Sequence, residues 1–146
     1  MKKWLYENRE FKTIEDFPEG VVGFVYKITN LCDGRVYVGK KILHNRISKI
    51  LTKREIAEWE KPGRVPKKKK IVKESNWQEY WGSNDEIKRD LKEMGEDCFT
   101  REILVLCKSK KQMSYYEVYW QMKMEVLKVP GYNQNISGKW FRKDLE

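Results

Sequence analysis

At 146 residues the chain has room for one ordinary domain with one core, which excludes an enzyme carrying a separate cofactor-binding half. Lys and Arg number 31 against 22 Asp and Glu, a formal charge of +9 that points to an acidic partner. A 40% hydrophobic and 13% aromatic composition excludes a disordered basic tail, which would lack the apolar surface to offset chain entropy.

Residues 1–20 read as an N-terminal extension in which charged residues surround isolated apolar ones, so no signal-peptide h-region is expected. No run approaches the ~20 apolar residues of a membrane span, and no membrane partner is expected. Val21 to Asn30 and Arg35 to Lys40 are β-branched and aromatic on either side of Cys32-Asp33-Gly34, a hairpin signature. A two- or four-residue loop would put Tyr26 and Tyr37 on one face, and a three-residue loop on opposite faces. With the four-residue loop Leu31 to Gly34, Tyr37 pairs with Ile28 and Tyr26 faces Gly39, which leaves an open slot beside the phenol.

Apolar residues from Ile42 to Trp59 recur at roughly helical spacing and predict a helix. Lys61 to Lys73 has seven basic residues, no acid and two prolines, and reads as a basic loop over 61–73. Trp77, Tyr80 and Trp81 read as core anchors. Ser83 or Asn84 then caps a helix with Ile87, Leu91 and Met94 on one face, ended by Gly95. Phe99 to Leu106 predicts a third strand, and Ser109 starts a long helix to about Leu127, stopped by Pro130-Gly131. The expected order is ββααβα in a single domain over 1–146.

Three widely spaced cysteines, Cys32, Cys98 and Cys107, contain no C-x-x-C pair and predict free thiols in a reducing, cytoplasmic setting. With His44 as the single histidine, a structural zinc site of about four grouped ligands is not expected.

Five stretches in order carry a resemblance: GFVYKITN (23–30) with YVGKK (37–41), WQEYWGS (77–83), GEDCFTREIL (95–104), SYYE (114–117) and YN (132–133). Together they resemble the GIY-YIG nucleases, most closely the small phage-encoded members, over about residues 22 to 136. The resemblance implies an α+β fold with a three-stranded antiparallel sheet flanked by helices. It also implies Mg²⁺-dependent hydrolysis of phosphodiesters in double-stranded DNA, with Mn²⁺ substituting. Tyr26, Tyr37, Arg46, Glu117 and Asn133 are the catalytic residues so implied, and Lys40 and His44 join them. Phe24 stands in place of the motif's first glycine, with Gly23 one residue earlier. Arg46 lies one residue nearer Gly39 than is usual, so Lys49 and Arg54 compete for its role.

Phosphodiester cleavage needs an attacking water, neutralised charge on the phosphate and a stabilised leaving oxygen. Glu117 offers a hard carboxylate oxygen, and Mg²⁺ commonly binds one or two carboxylates while retaining water. Tyr26 would accept the water's proton, which requires cations such as Lys40, Arg46 and the metal to depress a phenol pKa of ~10. Tyr37 would donate a hydrogen bond to the phosphate or leaving oxygen, while Asn133 holds the arrangement from the tail. Glu117 is flanked by Met113, Tyr116, Val118, Trp120 and Gln121, a setting in which a carboxylate needs a partner. Lys67, Lys68, Lys69, Lys70 and Lys73, with Lys41, are expected to contact DNA phosphates without selecting bases. The rival reading is a non-catalytic basic nucleic-acid-binding module on the same fold. Two cuts would need two visits or a homodimer, because one site cuts one strand at a time.

Overall fold

The structure is a computed structural model that describes residues 2–146. In chain order its strands are β1 (Trp4–Tyr6), β2 (Arg9–Phe11), β3 (Gly23–Asn30), β4 (Val36–Ile42), β5 (His44–Ile50), β6 (Lys68–Glu74), β7 (Phe99–Cys107), β8 (Asn135–Ile136) and β9 (Trp140–Phe141). The α-helices are α1 (Lys53–Ala57), α2 (Asp85–Met94) and α3 (Lys110–Lys123). The chain divides into two compact units, Met1–Leu43 with Asn76–Glu146, and His44–Ser75. Among the described residues no helix is long and apolar enough to cross a membrane.

The first unit is built on a five-stranded mixed sheet in the order β2-β1-β7-β3-β4. This corrects the expected three-stranded antiparallel sheet and its ββααβα order. The three expected strands form its β7-β3-β4 side, and β1 adds a parallel pairing to β7 through Leu5 and Glu102. The added strands fall in the stretch read as an extension. Three-residue strands are too short to show a period, and the turn between them uses Glu7 and Asn8 at φ 49° and 65° instead of an Asn-Gly pair. The payload of this hairpin is Trp4 and Phe11, both buried in the main core.

The β3–β4 hairpin has the register that the four-residue loop requires: Tyr26 pairs with Gly39 and Tyr37 with Ile28. Asn30 N–H donates to Arg35 O at 2.8 Å and closes the loop, with Gly34 at φ +81°. Alternation along β3 sends Phe24, Tyr26 and Ile28 to one face, where they meet Trp4, Trp77, Phe99, Ile103 and Tyr132. Val25 and Val38 on the opposite face pack with Cys107, Met113 of α3, Val126, Leu127 and Ile136. A bulge in the β3–β7 pairing shifts the register between Val25 and Tyr26, so that Ile103 stays opposite Tyr26.

The helix caps follow the sequence more closely than the helix lengths do. Asn84 accepts from Ile87 N–H at 3.1 Å, Ser109 accepts from Gln112 N–H at 3.0 Å, and Gly95 at φ +85° follows α2. Helix α3 ends at Lys123, ahead of the expected Leu127. Glu125 adopts φ 49° and Val126 N–H reaches back to Gln121 O at 3.1 Å, a left-handed closure that usually advertises itself with glycine. The cysteines, remote in sequence, are not all remote in space: the free thiols of Cys32 and Cys98 lie 2.7 Å apart where the hairpin loop meets the start of β7.

In the second unit the expected helix over Ile42 to Trp59 is instead strand β5 followed by the single-turn α1. The expected loop over 61–73 is strand from Lys68 onward. Ile47 pairs with Ile71 and Arg46 with Val72 in an antiparallel ribbon. The residues at 47, 50, 71 and 72 are β-branched, and a cross-strand partner decides a spacing that fits either period. Thr52 and Glu55 form a capping box on α1, and Lys69 is ion-paired with Glu55.

Arg101 on β7 ties the first unit together. It is 1% exposed, its guanidinium lies over the Trp4 and Trp81 rings at 4.7 and 4.3 Å, and it donates to the carbonyls of Gln78 and Tyr80 at 2.9 Å each and to that of Lys2. Burial pulls it down to about 10, still cationic at neutral pH. Arg101→Leu would strand these carbonyls and is expected to cost about 2–4 kcal/mol in urea unfolding, against under ~0.5 kcal/mol for an exposed change such as Lys111→Ala.

Candidate active site

Gly39 is the position that lets two phenols converge. A Cβ there would lie 2.6 Å from Tyr26 Oη and 3.1 Å from Tyr37 Cε1. Gly82, at φ +88°, closes the other side, its Cβ position 3.2 Å from Tyr37 Cε1 and 3.4 Å from Tyr26 Oη. The ring centroids of Tyr26 and Tyr37 are 6.2 Å apart, and Tyr80 meets Tyr26 edge-on at 6.1 Å. Tyr26 is buried and Tyr37 half-buried.

Helix α3 presents its acid to the same place. Glu117 Oε1 is 3.8 Å from Lys40 Nζ, and Lys40 Nζ donates to Ser114 Oγ at 3.0 Å, one turn earlier. Four residues beyond Glu117 on the same helical stripe, the buried Gln121 donates from Nε2 to Val38 O at 3.0 Å. Asn133 makes both edge bonds of Val38: its Oδ1 accepts from Val38 N–H and its Nδ2 donates to Val38 O, each at 3.0 Å. Val38 lies between Tyr37 and Gly39, so the strand segment bearing the second phenol is gripped from the helix and the tail at once.

The electrostatics record the convergence. Burial pushes the Tyr26 phenol well above its ordinary value, and the neighbouring Tyr37 and Tyr80 phenols and the Glu117 carboxylate push it further. Tyr37 is raised by burial and by Tyr80 and Glu117, with a hydrogen bond from Ser83 pulling it partly back. Glu117 is itself raised by burial, and Lys40 lowers it in part. The phenols are therefore held as donors, opposite to the depression that a neutral-pH base requires.

Of the residues expected at the site, Tyr26, Tyr37, Lys40, Glu117 and Asn133 come together in the first unit. His44 and Arg46 stand exposed on β5 in the second unit, together with Lys67, Lys68, Lys70 and Lys73 of β6 and the segment before it, whereas Lys69 is half-buried and paired with Glu55. Arg46 is thus a strand residue, not the helical residue the sequence suggested. Gln121 and Gly82 were missed. The i,i+4 relation to Glu117 could have exposed the first, whereas Gly82 entered only as a letter of the WQEYWGS stretch.

Among the described residues no group of three or more His, Cys, Asp or Glu side chains gathers as a metal nest. The donor set at the site is one carboxylate, half-buried and loosely paired, beside two phenols. That set fits a hard cation that keeps most of its water, as Mg²⁺ does, and not a fully protein-caged ion.

Two substitutions probe this arrangement. Gly39→Ala must displace the Tyr26 phenol and is expected to cost about 1–3 kcal/mol in denaturant unfolding. For Glu117 the raised folded pKa favours the protonated carboxyl. That stability is present below the unfolded carboxyl pKa and lost as pH rises through the folded value. Glu117→Gln should therefore raise Tm at pH 7 by about 1–3 °C, with the difference vanishing at the acid end of the titration, as read by calorimetry at several pH values.

The model of the family described as "Putative endonuclease segE, GIY-YIG domain" matches residues 4–143 of the chain. Comparison with curated proteins and with solved structures found no match. Because that match runs over nearly the whole length, the chain belongs to this GIY-YIG endonuclease family.

Proposed function

We propose that the protein is a Mg²⁺-dependent endonuclease that hydrolyses phosphodiester bonds of double-stranded DNA. The observation that supports this best is the glycine-floored recess shared by two phenols, beside which Lys40, the chain neighbour of Gly39, meets Glu117 at 3.8 Å. Glu117 is the residue to hold the cation. Mg²⁺ bound there would neutralise the charge that now opposes ionisation of Tyr26, lower the pKa of bound water and offset charge on the phosphate.

The chain's own residues divide the remaining work. Tyr26 takes the proton of the attacking water, and Tyr37, held as a donor, hydrogen-bonds the phosphate or the leaving oxygen. Lys40, released from a loose pairing with Glu117, places an ammonium against the phosphate. Asn133 and Gln121 act as positioning residues through Val38. The basic ribbon β5–β6, with Arg46, His44, Lys68, Lys70 and Lys73 exposed, supplies phosphate contacts of its own. A site of this kind cuts one strand per visit, so a double-strand break would take two protomers or two encounters.

Plasmid nicking with Mg²⁺ tests the reading: Glu117→Ala should reduce cleavage by ~10³-fold or more, and Tyr26→Phe by ~10²–10⁴-fold. Because Tyr26 is raised and must lose its proton to act, wild-type kcat/KM should climb close to tenfold per pH unit from about 6.5 to 9, a slope that Tyr26→Phe abolishes. Equal nicking by wild type and Glu117→Ala would remove Glu117 from the mechanism. Salt-sensitive DNA binding with no nicking by either would identify the non-catalytic module instead.

A further inference from the structure

Near Glu117, in the same unit, lies a cleft of about 410 Å³ whose lining includes Lys40, Lys41, Tyr80, Lys110, Met113 and Ser114. Its wall is a single stripe of α3. Lys110, Ser114, Glu117 and Gln121 follow at spacings of four, three and four, and the contacts run in step along β4: Gln121 to Val38, then Glu117 and Ser114 to Lys40. The cleft is thus the continuation of the catalytic groove toward the N-terminal end of α3, where the helix itself favours negative charge.

Of the three lysines of the cleft, Lys40 is loosely paired with Glu117 at 3.8 Å, whereas Lys41 and Lys110 form no ion pair among the described residues. Lys41 is half-buried, burial lowers its pKa while the Glu79 carboxylate offsets part of that, and its ammonium sits 4.0 Å over the Tyr80 ring and donates to Asn76 Oδ1 at 2.7 Å; among the described residues no carboxylate comes within 4.0 Å of it. The ring and the neutral amide offset the desolvation of this ammonium only in part, and an arriving anion would complete it. Lys110 projects from the first turn of α3 with no ion pair among the described residues, and the Ser114 hydroxyl, already met by Lys40, retains a proton to donate.

We propose that this cleft is a phosphate subsite that holds a backbone phosphate of the nucleic acid adjoining the scissile one, gripped by Lys41, Lys110 and Ser114. The subsite rests on the nucleic-acid reading above but not on catalysis, since holding a phosphate requires no bond to break. It would fix the path of the cut strand past Glu117 and set how far a substrate must extend beyond the scissile bond.

The test is equilibrium binding of a short DNA duplex across a salt series, with Glu117→Gln as the parent to prevent cutting. Adding Lys41→Ala and Lys110→Ala should make the slope of log K against log salt shallower by about 0.9, the loss of one phosphate contact. A control pair of equal charge, Lys111→Ala with Lys123→Ala, should leave the slope within about 0.3 of the parent. Thermal unfolding checks that all variants fold. An unchanged slope for the cleft pair, equal loss in the control pair, or no duplex binding by the parent would each overturn the subsite. So would binding of inorganic phosphate below about 0.1 mM together with an unchanged duplex slope, which would mark a site for the free anion. A difference in slope alongside wild-type protein that cuts nothing in Mg²⁺ would leave the subsite standing and remove only the catalytic reading.

Discussion

Val38 is where the structure is held. As a residue of the edge strand β4 it turns its N–H and C=O away from the sheet, and Asn133 and Gln121 take them. An unpaired edge would be open to other strands, and the side-chain amides close it without adding another one. The same bonds set the site, because Tyr37 and Gly39 flank Val38 and because Gln121 is one helical turn from Glu117. A bond that orients the helix about β4 therefore also aims its carboxylate. The contact thus holds the Glu117 carboxylate through rigid elements, with both amides nearly fully buried where water cannot compete.

The environment so created has a cost. Burial raises Glu117 and both phenols, and each ionised oxygen would raise the others. Three acidic groups crowded around a glycine floor are a destabilised arrangement that cationic charge relieves, which is how functional sites commonly store unfavourable free energy. The lysines of β4 supply a part of that relief. Lys40 lies close to Glu117 but not within hydrogen-bond distance, and Lys41 is turned toward Asn76 and the Tyr80 ring.

The scaffold under the site uses charge differently. Arg101 is enclosed by two indole rings and three carbonyls, and Arg35 lies over the Tyr132 ring while pairing with Asp33, Glu86 and Asp90. Planar guanidinium groups suit such stacked, multiply bonded places, whereas the mobile ammonium groups of lysine gather around the groove. Arg101 fixes the 78–80 segment that delivers Tyr80 to Tyr26, and Tyr132 in the Arg35 network is the neighbour of Asn133. Both arginines thus act on the site through backbone they immobilise.

Local chemistry in the sequence was enough for the β3–β4 hairpin and for tying the pairing of Tyr26 with Gly39 to a four-residue loop, but the two-residue period fits a two-residue loop as well, and the fold chose between them. The caps Asn84 and Ser109 and the third strand were legible too, each depending on a residue and its near neighbours. The five motifs in order identified the family and drew Glu117 and Asn133 into one site. Strand β5 was not legible, since Ile47 and Ile50 fit a helix as well as a strand until Ile71 and Val72 arrive from more than twenty residues away. The β1–β2 hairpin was hidden by its brevity and by left-handed Glu7 and Asn8 in its turn. What only the tertiary structure decided is which groups lose their water: the raised phenols, the half-buried Lys41 and the grip on Val38 all come from segments that meet across the fold, and desolvation has no signature in a run of residues.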